Sequence, residues 1–245
     1  MDRDIAPKPP AQGEVVRAPA YPGTDNLEAM AAARRYNRFL VRLVIDHAAG
    51  VRRVLDFGAG IGTFAAALRA HGFEPVCFEP DAAQAARLEA QGFAVERRAD
   101  DIADGAFDAI YTFNVLEHIE DDAAALGRLF AWLRPGGRLL VYVPAFALLF
   151  GPMDRKVGHL RRYSRGQLAA RVAGAGFDIE RIGYVDCLGF AAALAHRAVG
   201  NASGTLDPRA VRLYDRCVFP VSRALDPVFG RWFGKNLLVS AVRPV

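Results

Sequence analysis

The sequence predicts an α/β fold built on an open, mostly parallel β-sheet with helices on both faces. Residues 54–64 join an apolar run to three alternating glycines and then to an Ala/Leu-rich helix, which is the pattern of a strand, a tight turn and a helix N-terminus. Strand and helix patterns alternate from residue 51 to 143, and such alternation favours a parallel sheet. The 245 residues, 52% hydrophobic and 24% charged, suffice for one α/β domain with additions.

The elements follow in chain order. Residues 1–24 carry five prolines in the first 22 positions and predict a flexible tail, whereas residues 26–47 carry an apolar helical face and predict one helix. Apolar runs predict strands at 54–57, 75–78, 93–98, 107–113, 133–143, 177–184 and 236–242. A helix over residues 165–175 leads into the sixth strand. We therefore expect a single domain over residues 25–245.

The glycine turn indicates a nucleotide-like cofactor. Gly58, Gly60 and Gly62 allow positive φ and let backbone N–H groups approach a ligand closely. A dinucleotide-binding strand normally stays apolar up to G-x-G-x-x-G, whereas here the spacing is G-x-G-x-G and Asp56 lies inside the strand. Glu79 ends the next apolar run, where a carboxylate can accept both hydroxyls of a ribose. An acid before the turn suits a cofactor with a cationic centre and an amino-acid tail better than a pyrophosphate.

With these features, residues 54–64 resemble motif I of the class I S-adenosylmethionine (SAM)-dependent methyltransferases. Residues 114–119 resemble the "LEH" segment after the fourth strand of small-molecule methyltransferases of the ubiquinone and menaquinone types. Residues 133–143 match their "L-[KR]-P-G-G" turn into strand five. The resemblance covers residues 51–144 well. It implies a Rossmann-like, seven-stranded sheet in the order 3-2-1-4-5-7-6, with an antiparallel strand seven between strands five and six.

The same resemblance implies that SAM is the cofactor and S-adenosylhomocysteine the product. It places an acid near the adenine amine after strand three, and we assign Tyr36 to orienting the cofactor carboxylate or the acceptor. The predicted cofactor-binding residues are Asp56, Gly58, Ala59, Gly60, Gly62, Glu79, Pro80, Asp101, Ile102, Asn114, Val115, His118 and Tyr36.

Two insertions bear on the acceptor. Residues 144–164 and 187–235 exceed a minimal fold, and with the N-terminal helix we expect them at the C-terminal edge of the sheet, where ligands bind. Residues 151–171 carry a formal charge of +5, against +4 for the whole chain, and an apolar run at 146–150 precedes them. This combination suits an anionic amphiphile or an anionic bilayer. A solvated arginine-rich helix start with a packed apolar loop is an equally weighted alternative.

Residues 158–164 resemble a "GH-x-RRY" stretch in bacterial methyltransferases of glycan, lipid and secondary-metabolite pathways. The predicted acceptor-binding residues are Asp154, His159, Arg161, Arg162 and Tyr163. Methyl transfer is an in-line displacement that depends on positioning, and a hydroxyl acceptor benefits from a general base. His118 and His159 are the candidate bases, although His118 can instead pack at the methionine end and His159 can serve a structural or lid role.

We therefore expect an enzyme, a SAM-dependent methyltransferase acting on a small molecule, with O-methylation slightly favoured over N-methylation. The alternatives are a catalytically silent SAM-binding subunit that docks a partner through residues 187–235, an RNA methyltransferase and an NAD-linked enzyme. Nucleic acid is disfavoured because no recognisable RNA module is present. No metal site is expected, because the three cysteines lack paired spacing and no second acid accompanies Asp154.

The expected localisation is cytoplasmic or peripheral to the inner face of the membrane. The first residues show no secretory pattern, and no apolar run reaches 18 residues. The oligomeric state stays open.

Overall fold

The computed structural model describes residues 21–199 and 203–245, so the predicted tail at 1–20 lies outside the described residues. Seven strands form one sheet in the order β3-β2-β1-β4-β5-β7-β6. They are β1 (Arg53–Phe57), β2 (Glu74–Phe78), β3 (Ala94–Glu96), β4 (Phe107–Phe113), β5 (Leu133–Pro144), β6 (Asp178–Val185) and β7 (Asn236–Val242). The strand β7 is antiparallel to both of its neighbours, and the others pair in parallel. The predicted fold class and strand order are confirmed.

Helices cover both faces of the sheet. They are α1 (Thr24–Ala31), α2 (Arg34–His47), α3 (Thr63–Ala70), α4 (Ala82–Ala90), α5 (Asp122–Trp132), α6 (Pro152–Val157), α7 (Arg165–Gly174), α8 (Cys187–Val199), α9 (Pro208–Leu213) and α10 (Phe219–Phe229). The helices α5 and α7 pack on one face of the sheet, and α2 and α3 pack on the other. In the part of the chain that the structure describes, no helix combines the length and apolarity needed to cross a bilayer.

The N-terminal region differs from the prediction in two ways. The expected helix over 26–47 is two helices, because Ala33 leaves the helical conformation (φ −80°, ψ 70°) and the side-chain amide of Asn37 binds the carbonyl oxygen of Met30. Neither glycine nor proline marks this break, so the apolar periodicity runs through it. Residues 21–24 do not continue a flexible tail: the backbone N–H of Tyr21 donates to Asp81 at 2.9 Å, and α1 begins at Thr24.

The C-terminal edge of the sheet carries unusual backbone conformations. Asn114, Phe146 and Asp186 are the non-glycine residues with positive φ in the described chain, at 55°, 59° and 66°. Each follows the end of a strand, respectively β4, β5 and β6. Such conformations cost free energy and tend to concentrate at functional sites. Both insertions also leave the sheet at this edge, with α6 in the first and α8 to α10 in the second.

Candidate functional site

The glycine turn forms the centre of the site. Gly58, Gly60 and Gly62 have φ values of 82°, 54° and 82°, which residues with a Cβ rarely adopt. A Cβ on Gly58 would lie 2.4 Å from a methyl carbon of Val115, so the turn after β1 directly contacts the segment after β4. This contact joins two stretches that the sequence assigns separately to the cofactor.

Glu79 lies at the tip of β2 and faces the glycine turn. One carboxylate oxygen accepts the N–H of Gly60 at 2.8 Å, and the other accepts the N–H of Asp81 at 3.0 Å. Burial raises the pKa of Glu79, and the two backbone N–H groups partly oppose the rise. The carboxylate is thereby held beside the turn, as binding of a ribose at this place requires.

Asp56 is a buried acid with one carboxylate oxygen that accepts no hydrogen bond from the described residues. Its side chain is 2% exposed, and one carboxylate oxygen has no partner within the described residues. Burial raises the pKa of Asp56 to about 7, and the negative charge of Glu79 adds to the rise. A buried acid of this kind is stabilised by a nearby cation. With Glu79 and the glycine turn, it fits the cationic methionine end and the ribose of SAM.

The remaining predicted cofactor residues lie around this centre in different environments. Ala59 is buried, and its N–H binds the carbonyl oxygen of Phe78. Pro80 and Asp101 are exposed, whereas Ile102 belongs to the hydrophobic core. Tyr36 packs edge-on against Tyr142, and burial raises its pKa to about 12. The structure therefore places Ile102 in a packing role, and ligand contact for the others stays a prediction.

The two predicted histidines meet beside this turn. The rings of His118 and His159 contact edge to face, with centroids 4.6 Å apart. Burial lowers the pKa of His118 to about 4, and the adjacent His159 adds to the shift. The His118 imidazole is therefore neutral at physiological pH, which is the form that can accept a proton or bind a metal.

Glu117 completes this cluster and is absent from the predicted site. Its side chain is fully buried, and neither carboxylate oxygen has a hydrogen-bond partner among the described residues. The Nε2 atom of His159 lies 3.7 Å from Glu117 Oε1. Burial raises the pKa of Glu117 to about 8. The sequence offered a signal for it, since Glu117 is the acid of the "LEH" segment.

Three of the predicted acceptor-binding side chains are committed to contacts inside the protein. Arg162 holds both carboxylate oxygens of Asp154, at 2.9 and 3.0 Å. Although burial opposes ionisation, hydrogen bonds from His159 and Arg162 keep the pKa of Asp154 at about 2. The buried hydroxyl of Tyr163 donates to Asp122 at 2.8 Å. The internal contacts of Asp154, Arg162 and Tyr163 leave fewer polar atoms for an acceptor, and a role of these residues in binding it stays a prediction.

The basic stretch at 151–171 is partly neutralised by acids from elsewhere in the chain. Arg161 and Arg171 both contact Asp122, at 3.0 and 3.2 Å. Lys156 pairs with Asp25, which lies in α1. Asp122 and Asp25 thus reduce the local charge from +5 to +3, and Arg155 and Arg165 stay exposed without an ion pair among the described residues. Arg161 alone of the predicted acceptor-binding arginines keeps a partly exposed side chain.

A second cationic surface lies on α2 and on the chain from residue 212 to residue 223. Arginines, most of them exposed, surround two shallow grooves there, and one groove also contains Phe39 and Phe219. The arginines are Arg34, Arg35, Arg38, Arg42, Arg212, Arg216 and Arg223. Within the described chain, Arg34, Arg38 and Arg212 form no ion pair. We call this region the arginine surface.

Tyr21 is a second residue that the sequence did not indicate. Its ring contacts the ring of His118 edge-on, with centroids 5.6 Å apart. Burial raises the pKa of Tyr21 to about 12, with added contributions from the charges of Glu117 and Glu79. Leu27, in the following helix, would contact a Cβ on Gly60 at 3.3 Å. The segment 21–27 therefore covers both the glycine turn and the histidine cluster.

Comparisons with known proteins agree with this geometry. The family model described as a methyltransferase domain matches residues 26–182, more than half of the chain. The demethylmenaquinone methyltransferase of Thermus thermophilus is 37% identical over 135 residues, which cover 51% of this chain and 60% of that protein. The ubiquinone biosynthesis O-methyltransferase of Xylella fastidiosa is 36% identical over 99 residues, covering 36% and 40% respectively.

A solved structure shares the fold over most of the chain. It is a SAM-dependent methyltransferase from Thermotoga maritima, described as a possible histamine N-methyltransferase. The two chains are 16% identical with a TM-score of 0.61, and the match covers 90% of this chain and 96% of the other. By contrast, the chain spans only 60% and 40% of the length of the two curated relatives described above.

Proposed function

The chain belongs to the methyltransferase-domain family, and from this premise we propose that it transfers the methyl group of SAM to a small-molecule acceptor. One observation carries the proposal. The contact between Gly58 and Val115 brings the glycine turn against the segment that holds Glu117 and His118. A cofactor site and a cluster able to handle protons are therefore adjacent at one edge of the sheet.

The proposed binding of SAM uses three features of this edge. Glu79 accepts the ribose hydroxyls, and the glycine turn lets the backbone approach the cofactor. Asp56 supplies negative charge for the cationic methionine end. The protein then contributes mainly positioning, since the sulfonium already makes the methyl group electrophilic and transfer needs an aligned nucleophile.

An oxygen nucleophile is favoured over a nitrogen nucleophile. A hydroxyl acceptor must lose a proton, and a neutral histidine beside the reacting atoms can take it. The low pKa of His118 makes it a weak base near neutral pH, so His159, whose ring lies against it, is the proposed proton acceptor. The similar proteins include an O-methyltransferase and, by fold alone, a possible N-methyltransferase, so the preference for oxygen rests on the histidine cluster.

Calorimetry with SAM and S-adenosylhomocysteine tests cofactor binding. We expect both to bind the wild-type protein and to bind Glu79→Ala more weakly, with Asp46→Asn as an exposed-acid control. Transfer of labelled methyl to a panel of phenols, quinols and amines then tests the acceptor class. The absence of binding to either cofactor form, in folded protein, would refute the proposal. Labelling of amines alone would overturn the preference for oxygen.

We further propose an amphiphilic acceptor and contact with an anionic membrane surface. Apart from Val245, every exposed large apolar side chain among the described residues lies in one of the two insertions. These side chains are Leu148, Leu160, Leu194, Leu213, Val221, Val228 and Trp232. The arginine surface borders part of this region and supplies positive charge, which attracts anionic headgroups.

Vesicle sedimentation tests the membrane contact. We expect binding to vesicles that contain phosphatidylglycerol, weaker binding at high salt, and none to pure phosphatidylcholine. Arg38→Gln should reduce binding, whereas Arg134→Gln, at the start of β5, should not. Equal binding to both vesicle types, or equal loss in both variants, would refute a role for the arginine surface.

A second candidate is a catalytically silent SAM-binding subunit. Exposed apolar side chains on α8 to α10 favour it, because such side chains also suit a protein partner. Retained SAM binding without methyl transfer to any acceptor class, together with a partner that co-purifies through α8 to α10, would support this alternative over the enzyme.

A further inference from the structure

We propose that Glu117, His118 and His159 bind a divalent transition-metal ion at the acceptor end of the site. One candidate ligand atom from each residue lies within 4.8 Å of the other two. Two imidazoles and one carboxylate are the ligand set of many zinc and non-haem iron enzymes, and they leave coordination positions open. The sequence alone did not lead us to expect a metal.

The strongest support is the state of Glu117. Its side chain is 0% exposed, yet neither carboxylate oxygen has a hydrogen-bond partner within the described residues. A buried carboxylate without partners is costly unless a cation or hydrogen bonds compensate its charge. The nearest polar group from the cluster is the imidazole of His159, and its separation of 3.7 Å is too long for a hydrogen bond.

The supporting contacts of His159 are those of a metal ligand. Its Nδ1 atom lies 2.7 Å from Asp154, which leaves Nε2 facing Glu117. Arg162 in turn fixes Asp154 through two hydrogen bonds, and the N–H of Gly151 adds a third. Metal-binding histidines are commonly oriented by a carboxylate on the other ring nitrogen. This arrangement thus gives Asp154 and Arg162 a positioning role.

The distances fit a small ion after modest side-chain movement. Two ligands on a tetrahedral zinc, each about 2.0–2.2 Å from it, lie roughly 3.4 Å apart. The gap between His159 and Glu117 is close to this value, and the widest gap in the cluster is at most 4.8 Å. The widest gap therefore exceeds the tetrahedral spacing by about 1.4 Å at most, which side-chain rotation can close. Imidazole ligands favour Zn²⁺, Fe²⁺ or Co²⁺ over Mg²⁺ and Ca²⁺, which prefer oxygen.

The chemical role of the ion rests on the proposed function, but it replaces the histidine as the group that promotes loss of the acceptor's proton, because an imidazole nitrogen bound to the ion cannot accept it. An acceptor hydroxyl on an open position of the ion would have a lower pKa and would lose its proton to solvent water. The oxygen would then form a bond to the methyl carbon while the carbon–sulfur bond of SAM breaks, releasing neutral S-adenosylhomocysteine. Binding of the ion itself requires neither SAM nor an acceptor.

Metal titration of the full chain, freed of metal by a chelator, tests the inference. We expect one Co²⁺ per chain, with visible absorption typical of four or five ligands, and displacement of Co²⁺ by Zn²⁺. Glu117→Gln and His159→Gln should each weaken the affinity at least tenfold, as expected for loss of one ligand. The control variant His71→Gln removes an exposed histidine that is distant in sequence from Glu117 and His159. It should bind Co²⁺ with the affinity of wild type.

The possible results separate the inference from the proposed function. If folded protein shows neither visible absorption on addition of Co²⁺ nor heat of binding when titrated with Zn²⁺ in a calorimeter, the inference is overturned, even if SAM binds. Metal binding in protein that does not bind SAM would support the inference and refute the methyltransferase. Equal loss in His71→Gln would show adventitious binding and overturn it. If Glu117→Gln does not fold, His118→Asn replaces it, with the same tenfold loss expected.

Discussion

Replacement of Asp56 by Asn should stabilise the ligand-free protein while weakening its binding of SAM. The carboxylate is 2% exposed, has one oxygen without a partner, and lies beside the hydroxyl of Tyr111 on the neighbouring strand. An amide has nearly the same shape but carries no charge. The substitution therefore removes the cost of burying a charge without opening a cavity.

The magnitude follows from the pKa of Asp56. Burial raises it from 3.8 to about 7, and each unit corresponds to about 1.4 kcal/mol. Between these two pH values the folded protein binds more protons than the unfolded chain, so the stability of wild type falls as pH rises. The free energy of unfolding of wild type is lowered by the full amount above about pH 7. This loss is at most about 4 kcal/mol, or about 2–4 kcal/mol after solvent relaxation.

Urea unfolding of wild type and Asp56→Asn between pH 4 and pH 8 measures this difference. The variant should gain stability relative to wild type across that range, with the largest gain at pH 8. Asp46→Asn removes an exposed acid in α2 and provides the control, since its stability should stay within about 0.5 kcal/mol of wild type. A variant that is less stable at pH 8, or whose gain does not change with pH, would refute the reasoning.

Ligand binding supplies the second half of this test. SAM and S-adenosylhomocysteine share the ammonium group, so Asp56→Asn should weaken both to a similar extent if Asp56 faces that group. Wild type should also release a proton on binding near pH 6.5, because a cation favours the ionised acid. Loss of SAM affinity alone would instead place Asp56 beside the sulfonium. Unchanged affinity for both would remove it from the site.

Three further outcomes are expected. Glu79→Ala should weaken SAM binding by roughly 1.5–3 kcal/mol in calorimetry, as for hydrogen bonds to a charged group, while Glu74→Ala, at the exposed start of β2, should not. Gly58→Ala should lower the unfolding free energy by about 1–3 kcal/mol, since its φ is 82° and its Cβ would overlap Val115; no loss in urea unfolding would contradict the geometry. Burial lowers the pKa of His47, so wild-type stability should fall as pH drops below about 6.5. His47→Gln should flatten that fall in thermal unfolding, and an unchanged pH profile would argue against it.

The features that the sequence predicted correctly are local. The glycine turn and its flanking acids lie within 26 residues, from 54 to 79, and strand–turn–helix chemistry is specified by neighbouring residues. The strands were likewise predicted from short apolar segments. The order of the seven strands followed from the resemblance to class I methyltransferases, which rests on short motifs of the same kind. Local patterns were therefore sufficient for the fold and for the contact between Glu79 and the glycine turn.

The acceptor half depends on long-range contacts, and there the sequence was less informative. Charge counted along residues 151–171 indicated a cationic surface, but Lys156 meets Asp25 across 131 positions, and Arg161 meets Asp122 across 39. Glu117 and His159 are also 42 positions apart. A count of charges along the chain includes only neighbours in sequence. It could therefore show neither the partial neutralisation of residues 151–171 nor the cluster that Glu117 forms with His118 and His159.

The segment that the sequence assigned to a flexible tail links the two halves of the site. Tyr21 is held at its backbone by Asp81, which lies two residues after Glu79, while its ring rests on His118. A ligand that reached from Glu79 to the histidine cluster would run beside Tyr21, which contacts both ends of that path. Tyr21 is held by the hydrogen bond from its N–H to Asp81, by the hydrogen bond from the Thr24 hydroxyl to its carbonyl oxygen, and by the edge-on ring contact. Displacing these contacts costs less than opening the core, so we expect this segment to move when the cofactor enters, while the sheet and its strained edge residues stay in place.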